Sequence, residues 1–329
     1  MTISSEKVQI RFIEKIRNSL PKNISLAETL AETLNISTDS AYRRIRGSTS
    51  LTIDEVITLC NRFKINFDLL SEDQAGTVTF NYQILSENEQ NFDSYLKRLE
   101  DSLDNLRSFK EKKISYVADD VPLFHYFRYP ELTAFKMYFW QKSNIKDYKD
   151  SGFDMKSISP SLLGAAKRIH DKYLQIPSIE IWTEQTVGVR QLDYFHKAGK
   201  VSSEMVLLLC TQFIEMLENV KKQATDGTKF SSLPGNFQLY LSELMVDSNT
   251  ILVCTDQGKV VYKSFNMFNT LSTSNPIFCN ETENWLDNVV KLSTLLSGSA
   301  ERSRDQLFND SINRIKKLKK QIEDDQEQA

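Results

Sequence analysis

The sequence predicts a protein that is mainly α and α+β overall, with an N-terminal all-α domain of five helices and a larger C-terminal α+β domain. Three observations predict this class. The chain has 329 residues, which is more than one ordinary domain needs. Short amphipathic segments with helix caps fill residues 1–70. Between residues 237 and 265 the pattern changes to alternating apolar residues, which is typical of a small antiparallel sheet.

The N-terminal domain is built from helices whose ends carry the residues that helix ends favour. The predicted helices run from Glu6 to Leu20, Ser25 to Leu34, Ser37 to Gly47, Thr52 to Phe63 and Asn66 to Leu70. Ser25, Ser37 and Thr52 can cap helix N-termini through their hydroxyls, and Gly47 can end the third helix. We therefore place the domain at residues 1–70 and a polar linker at residues 71–76.

The C-terminal domain is expected over residues 77–324, with a disordered tail at residues 325–329. Strands are predicted at Thr77–Ile84, at Ile114–Asp119 and as an antiparallel meander within Phe237–Phe265, which contains a tight turn at Thr255–Gly258. Helices are predicted at Asn88–Lys112, from Pro130 onward, and at Ser161–Leu174, Ile179–Ala198, Ser202–Ala224, Thr282–Leu296 and Ala300–Asp324. This order predicts one α+β domain with a small sheet.

Composition excludes several classes of protein. Hydrophobic residues make up 40% of the chain and charged residues 26%, as in ordinary globular proteins. The net charge of −3 argues against nucleic-acid binding over the whole surface, so any DNA contact must be local. The longest aliphatic run, Met205–Cys210, is far shorter than the ~20 residues of a membrane span, and we expect a cytoplasmic protein.

The segment Ser25–Gly47 carries a recognisable pattern, SLAETLAETLNISTDSAYRRIRG. It has small residues at Ala31 and Ala41, and at Asn35 a residue that tolerates positive φ. This pattern resembles the helix-turn-helix of lambda-repressor-like (XRE-type) transcriptional regulators, over about residues 5–70. The resemblance implies that helix 37–47 enters the major groove of DNA and reads its sequence.

One position departs from the family pattern. Arg44 stands where an aliphatic side chain is common, and the aliphatic Ile45 follows one place later. The departure predicts a rotated helix with Tyr42 and Ile45 turned inward and Arg44 exposed, as in BetR-type members of the family.

The resemblance implies a set of DNA contacts in and just after this helix. The set is Ser37, Thr38, Asp39, Ser40, Tyr42, Arg43, Arg44, Arg46 and Ser48. Arg43 is placed to bond guanine through its two-pronged guanidinium, whereas Arg44 and Arg46 are placed for phosphates. Two other interpretations stay open: a solvated helix face, and an interaction or scaffold protein whose N-terminal bundle binds protein instead of DNA.

The sequence lacks the motifs of an enzyme, a metal site or a cofactor site. The histidines, His125, His170 and His196, are far apart, and the four cysteines have neither metal-ligand nor disulfide spacing. We therefore expect structural histidines, reduced and mostly buried thiols, no cofactor and no catalytic activity. An aromatic-rich run over Ala118–Trp140, with Asp119 and Asp120 at its start, fits either a ligand pocket or plain core.

The expected partners are double-stranded DNA, a second copy of the chain, and an effector or protein partner at the C-terminal domain. Two helical heads spaced one DNA turn apart require a dimer contact outside the head. Two apolar stripes are candidates for that contact: Phe92, Leu96, Leu99, Leu103 and Leu106, or Phe308, Ile312, Ile315 and Ile322. Each stripe could instead pack into its own domain.

Overall fold

The computed structural model describes residues 5–20, 24–63, 65, 77–82, 90–144, 152–183, 187–230, 236–244, 249–266 and 269–327. Contacts divide the chain into two compact units, Met1–Thr79 and Phe80–Ala329. The protein is mainly helical, with a sheet in the C-terminal unit, as the sequence predicts.

Four helices are described in the N-terminal unit. They are α1 (Ser5–Ser19), α2 (Leu26–Leu34), α3 (Thr38–Ile45) and α4 (Ile53–Phe63). Their apolar faces meet in one core of Phe12, Ile13, Ile16, Leu30, Ala41 and Leu59, all nearly inaccessible to solvent. The predicted fifth helix at 66–70 and the predicted linker at 71–76 lie outside the described residues.

The predicted caps begin three of these helices. The hydroxyls of Ser25 and Ser37 accept hydrogen bonds from the first turns of α2 and α3. At α4, the Thr52 hydroxyl accepts from the Glu55 N–H at 3.2 Å, while the Glu55 carboxylate accepts from the Thr52 N–H at 2.9 Å. This reciprocal pair is a capping box, which fixes Glu55 at the start of α4.

The C-terminal unit contains an eight-stranded mixed sheet in the residues that the structure describes. Its strands are β1 (Asn81–Tyr82), β2 (Lys112–Ala118), β3 (Ser178–Trp182), β4 (Phe237–Leu241), β5 (Thr250–Thr255), β6 (Gly258–Asn266), β7 (Asn269–Thr273) and β8 (Thr294–Leu295). The spatial order is β1-β7-β6-β5-β2-β3-β4-β8, and only β2, β3 and β4 pair in parallel. The prediction of a small antiparallel sheet is therefore wrong.

Helices cover both faces of this sheet. They are α5 (Gln90–Ser108), α6 (Leu123–Tyr126), α7 (Pro130–Asn144), α8 (Pro160–Leu174), α9 (Val187–Lys197), α10 (Ser203–Asp226), α11 (Pro276–Lys291) and α12 (Glu301–Glu327). On one face the large core contains residues of α5 to α10 and of α12. On the other face α11 packs against Val117, Ile181, Leu252 and Val261.

The strand β3 explains why the sheet is larger than predicted. The sequence interpretation placed a helix over Ile179–Ala198, whereas the chain forms β3 and then α9. Ile179 and Ile181 face α11, while Glu180 and Trp182 lie on the side of the large core, so both sides of the strand are buried. β3 then pairs in parallel with β4, which removes β4 from the predicted meander.

Two predicted boundaries also differ. Helix α5 ends at Ser108, four residues early, because Lys112 already begins β2. Helix α12 continues to Glu327, so residues 325–327, which were predicted to be disordered, are helical. The helix starting at Pro130, the turn before Gly258 and the hairpin of β5 and β6 follow the predictions.

Both apolar stripes proposed for dimerisation pack inside their own domain. In α5, Phe92, Leu96, Leu103 and Leu106 are buried and Leu99 is half-buried against the same core. In α12, Phe308, Ile312, Ile315 and Ile322 are buried as well. The prediction that one of these stripes forms a dimer contact is therefore wrong, because the sheet and neighbouring helices already cover these side chains.

The aromatic-rich run after β2 is mostly core. Tyr126, Phe127, Phe135 and Trp140 are at most 2% exposed. Asp120 at its start accepts hydrogen bonds from the Tyr126 hydroxyl and from Lys136 Nζ at 3.0 Å. The run thus anchors α6 and α7 to the sheet.

A buried carboxylate lies at the centre of this core. Glu180 on β3 is 0% exposed and accepts hydrogen bonds from His125 Nε2 at 2.9 Å, Tyr173 Oη at 2.6 Å and Trp182 Nε1 at 2.9 Å. Burial by itself raises the pKa of Glu180, but His125 and the other donors outweigh it and hold the pKa below its ordinary value. The cluster joins α6, α8 and β3 through the Glu180 carboxylate.

Lys229 completes the cluster. Its Nζ donates to the Tyr173 carbonyl at 3.1 Å and lies 3.5 Å from the centroid of the Tyr173 ring. Burial lowers the pKa of Lys229 to about 7, although the charge of Glu180 opposes that shift.

Replacing Lys229 should change how stability depends on pH. Between the folded pKa near 7 and the ordinary lysine value, the unfolded chain binds a proton that the folded chain has released, so the Lys229 contribution rises with pH. We expect the free energy of unfolding of the wild type, relative to Lys229→Met, to rise by up to about 1.4 kcal/mol per pH unit above pH 7. Denaturant titrations from pH 7 to 10 measure it, and a flat difference would contradict this assignment.

Candidate nucleic-acid interface

The turn between α2 and α3 has the geometry that the sequence predicts. Asn35 ends α2 with φ 51° and ψ 50°, in the left-handed region that asparagine tolerates. The following N–H, that of Ile36, donates to the Ala31 carbonyl at 3.0 Å. Ala41 is 0% exposed on the inner face of α3, and Ala31 and Ile36 pack against the same core. The two helices therefore meet through a tight turn and small side chains.

Arg44 does not face solvent as predicted. Its Nη2 lies 2.7 Å from Glu55 Oε1 and its Nε lies 3.1 Å from Glu55 Oε2, so the pair is bidentate. The two side chains are only 15% and 16% exposed. The predicted rotation of α3 is wrong: Ile45 does pack inward, but Tyr42 is 50% exposed and Arg44 takes the inner position.

The Arg44 pair also sets the charge state of Glu55. Partial burial would raise the pKa of this carboxyl, but the hydrogen bonds from Arg44 and from the Thr52 N–H bring the pKa below its ordinary value. Arg44 thus ties α3 to the N-terminus of α4 and has little guanidinium surface left for a phosphate.

Gln9 of α1 holds the loop that follows α3. Its Nε2 donates to the carbonyls of Arg44 and Thr49, each at 2.8 Å, and its Oε1 accepts from the Leu51 N–H at 2.9 Å. Sequence reasoning missed this residue because its partners lie 35 or more positions away. A lone glutamine on an amphipathic helix gives no signal for such a contact.

An exposed stripe remains on the outer face of α3. It consists of Thr38, Asp39, Tyr42, Arg43 and Arg46, which recur at steps of three and four residues. Arg43 and Asp39 form an ion pair at 2.6 Å, with their side chains 59% and 68% exposed. We call these five residues the α3 stripe.

The remaining predicted contact residues lie at the two ends of α3. Ser37 accepts from the Ser40 N–H at 3.2 Å and donates to the Ser40 hydroxyl at 2.9 Å, so both serines serve the helix cap. Ser48 is exposed in the loop after Gly47. The structure therefore brings eight of the nine predicted contacts to the surface side of α3 or its ends, and turns Arg44 away.

The net charge of residues 1–70 differs in sign from that of the whole chain. Residues 1–70 contain ten Lys and Arg against eight Asp and Glu, whereas the net charge of the protein is −3. The segment 1–70 thus carries a small net positive charge, whereas the chain as a whole is negative.

Other kinds of site are not seen in the described ranges. Within them, no group of three or more His, Cys, Asp or Glu side chains is arranged to hold a metal ion. The four cysteines are free, and Cys60 and Cys254 are half-buried rather than buried. Among the helices described, none has the length and apolar character to cross a bilayer.

No protein-family model, no curated protein and no solved structure matches this chain. The interpretation of the N-terminal unit accordingly depends on its own residues and geometry.

Breaking the Arg44 pair should destabilise the N-terminal unit. We expect Arg44→Ala and Glu55→Ala each to lower its stability by about 1–3 kcal/mol, since a half-buried charged hydrogen bond is lost. The double variant should reveal a coupling of about 1–2 kcal/mol at neutral pH. Because the pKa of Glu55 is lowered, that coupling should vanish in acid, once the pH falls below the folded pKa.

Hydrogen exchange of peptides from α2 to α4 in the intact chain measures this coupling. Arg43→Ala is the matched control and should change stability by less than about 0.5 kcal/mol, because its pair with Asp39 is exposed. Equal effects of Arg43→Ala and Arg44→Ala would contradict the structural role of Arg44.

Proposed function

We propose that this chain is a sequence-specific DNA-binding transcriptional regulator that places α3 in the major groove. The observation that carries the proposal is the α3 stripe, which lies on the second helix of a tightly turned pair. Its first turn, from Thr38, is free of covering side chains and presents the positive end of the helix dipole. A helix with these features can approach a groove with its N-terminus leading.

Within the stripe, Arg43 is the residue that reads a base. Its guanidinium is exposed and can bond the O6 and N7 atoms of one guanine together, a contact worth about 1–3 kcal/mol of discrimination. To do so it must leave Asp39, but an exposed pair one turn apart is worth only about 0.3–0.5 kcal/mol. Exchanging the Asp39 carboxylate for guanine therefore lowers the free energy of Arg43 in the complex.

The other residues of the interface position the helix. Arg46, exposed at the C-terminal end of α3, contacts a phosphate, and Ser48 in the loop can donate to the backbone. Tyr42 presents an apolar ring on the same stripe, which suits contact with a thymine methyl group. Arg44 is left out of the contact set, because Glu55 holds its guanidinium.

A protein-binding head is the second candidate function. Ile53 and Ile57 lie one turn apart on α4 and are 78% and 53% exposed, so the head also has an apolar surface. That surface would suit a protein partner and not a phosphate backbone. The arginines of the α3 stripe favour DNA over this alternative.

The larger unit is assigned to dimerisation or to sensing of an effector or partner. We keep the homodimer as part of the proposal, since two heads about 34 Å apart can contact successive turns of one DNA face. Its contact must lie outside the α5 and α12 stripes. We place the protein in the cytoplasm.

The decisive experiment is selection of bound duplexes from a random DNA pool by the full-length chain, followed by binding at two salt concentrations. We expect one sequence to be enriched, and its affinity to fall steeply as salt rises, because phosphate contacts release counterions. Failure to enrich any duplex would favour the protein-binding head.

Two single variants should separate base reading from phosphate binding. Arg43→Ala should weaken binding to the selected duplex by about tenfold or more and leave binding to a scrambled duplex nearly unchanged. Arg46→Ala should weaken binding to the selected and the scrambled duplex to a similar degree. It should also make the slope of log affinity against log salt concentration shallower by about one.

Titrations of both duplexes by fluorescence anisotropy measure these effects. Arg62→Ala, on α4 and outside the α3 stripe, is the matched control and should behave as the wild type. Equal losses on the selected and scrambled duplexes for Arg43→Ala would remove it from base reading.

A further inference from the structure

The C-terminal unit contains a cavity of about 810 Å³ between α5 and the sheet. Its helix side includes Leu99 and Leu103 of α5 and Phe109 just after that helix. Its floor is the face of β2, β5, β6 and β7 that turns away from α11. The volume lies in the range of pockets that bind small molecules.

Strand register places a row of hydroxyl-bearing residues across this floor. Tyr116 of β2 is paired with Ile251 of β5, which is paired in turn with Tyr262 of β6. Ser272 of β7 continues the row beyond Tyr262, and all four residues line the cavity. Because neighbouring strands lie about 4.8 Å apart, the two tyrosines stand on one face of the sheet with backbones about 10 Å apart.

The hydroxyls of Tyr116 and Tyr262 point to a ligand. Tyr116 is 5% exposed and Tyr262 is half-buried, yet neither hydroxyl forms a hydrogen bond with any residue that the structure describes. A buried tyrosine hydroxyl normally has a partner. Burial raises the pKa of both side chains above the ordinary value, so each hydroxyl keeps its proton and can donate it to an oxygen acceptor.

The neighbouring row of the floor is apolar. Ile114, Val253 and Val260 follow one another across β2, β5 and β6 and line the same cavity. A molecule lying along this row is covered by apolar side chains of α5 on its other side, including Leu103. Such a lining fits a molecule that is mainly apolar and has hydrogen-bonding atoms along one edge.

The charged residues of the lining already have partners within the chain. Of the lining residues that the structure describes, the charged ones are Arg98 on α5 and Lys259 on β6. Lys259 Nζ lies 2.6 Å from a carboxylate oxygen of Glu283, and Arg98 also interacts with other groups of the protein. An ionised ligand would therefore lose its hydration without gaining an unpaired opposite charge, which makes an uncharged ligand the better fit.

We propose that this cavity binds an uncharged, mainly apolar molecule that carries a carbonyl or hydroxyl oxygen, and that this oxygen accepts a hydrogen bond from Tyr116. The Tyr262 hydroxyl serves a second oxygen where the ligand has one. The apolar body lies between α5 and the row that contains Val260. The assignment goes beyond DNA binding and does not depend on it.

The test uses the full-length chain and an uncharged fluorescent ketone, 6-propionyl-2-dimethylaminonaphthalene. We expect a saturable rise in its fluorescence at one site per chain. Decan-2-one should displace this dye, whereas decanoate and decyltrimethylammonium should each be at least tenfold weaker than the ketone. Displacement by either ion at the concentration that suffices for decan-2-one would overturn the assigned ligand class.

Two pairs of variants locate the dye and its oxygen. Val260→Trp fills the cavity and should abolish dye binding, whereas Leu292→Trp, at an exposed position outside the lining, should not. Tyr116→Phe should weaken the dye about threefold to tenfold, and Tyr240→Phe on β4, which does not line the cavity, should have no effect.

The emission of the bound dye reports the hydrogen bond itself. A ketone of this kind emits at longer wavelength when its carbonyl accepts a hydrogen bond, so Tyr116→Phe should move the emission to shorter wavelength. A merely structural role of Tyr116 would not produce that shift. This measurement also keeps the test decisive if Val260→Trp fails to fold.

Three further results would overturn the proposal. They are the absence of saturable dye binding, unchanged binding by a folded Val260→Trp, and equal dye affinity and emission for Tyr116→Phe and wild type. If sedimentation shows a dimer that Val260→Trp dissociates, then a second copy of the chain covers the cavity, and the small-molecule assignment is wrong.

Discussion

The ion pair between Arg44 and Glu55 determines which face of α3 reaches solvent. Glu55 is held at the start of α4 by its reciprocal hydrogen bonds with Thr52, so it offers a fixed carboxylate to the neighbouring helix. A bidentate contact at 2.7 to 3.1 Å, with both side chains mostly buried, then locks the rotation of α3. An aliphatic side chain at position 44 would fill the same place by packing alone.

The rest of the head depends on that rotation. With Arg44 and Ala41 turned inward, the exposed positions of α3 are those of the α3 stripe, and Arg43 and Arg46 become its two surface cations. Asn35 sets the direction in which α3 leaves α2, and Gln9 fixes the loop behind it. Three contacts from three different elements therefore orient one short helix, as the proposed base reading requires.

Local signals in the sequence predicted the head well and the sheet poorly. Helix caps, the left-handed Asn35 and the small Ala41 each act within a few residues, so they can be recognised from the sequence. The inward turn of Arg44, the loop contacts of Gln9 and the pair of His125 with Glu180 join residues 11 to 55 positions apart, which no spacing rule reveals. Strand β3 was mistaken for helix although Ser178, Ile179, Glu180 and Ile181 alternate between polar and apolar, because the strand has only five residues and its polar side chains are buried.

The most direct test of this account is the reactivity of the three arginines toward phenylglyoxal in the full-length chain, with and without a duplex that it selects. The account predicts that Arg44 stays unreactive in both states, because Glu55 holds it. Arg43 and Arg46 should react in the free protein and be protected by the duplex, as resolved by fragment mass spectrometry. Reaction of Arg44 at the rate of Arg43 in the free protein, or no protection of Arg43 and Arg46 by bound DNA, would contradict the account.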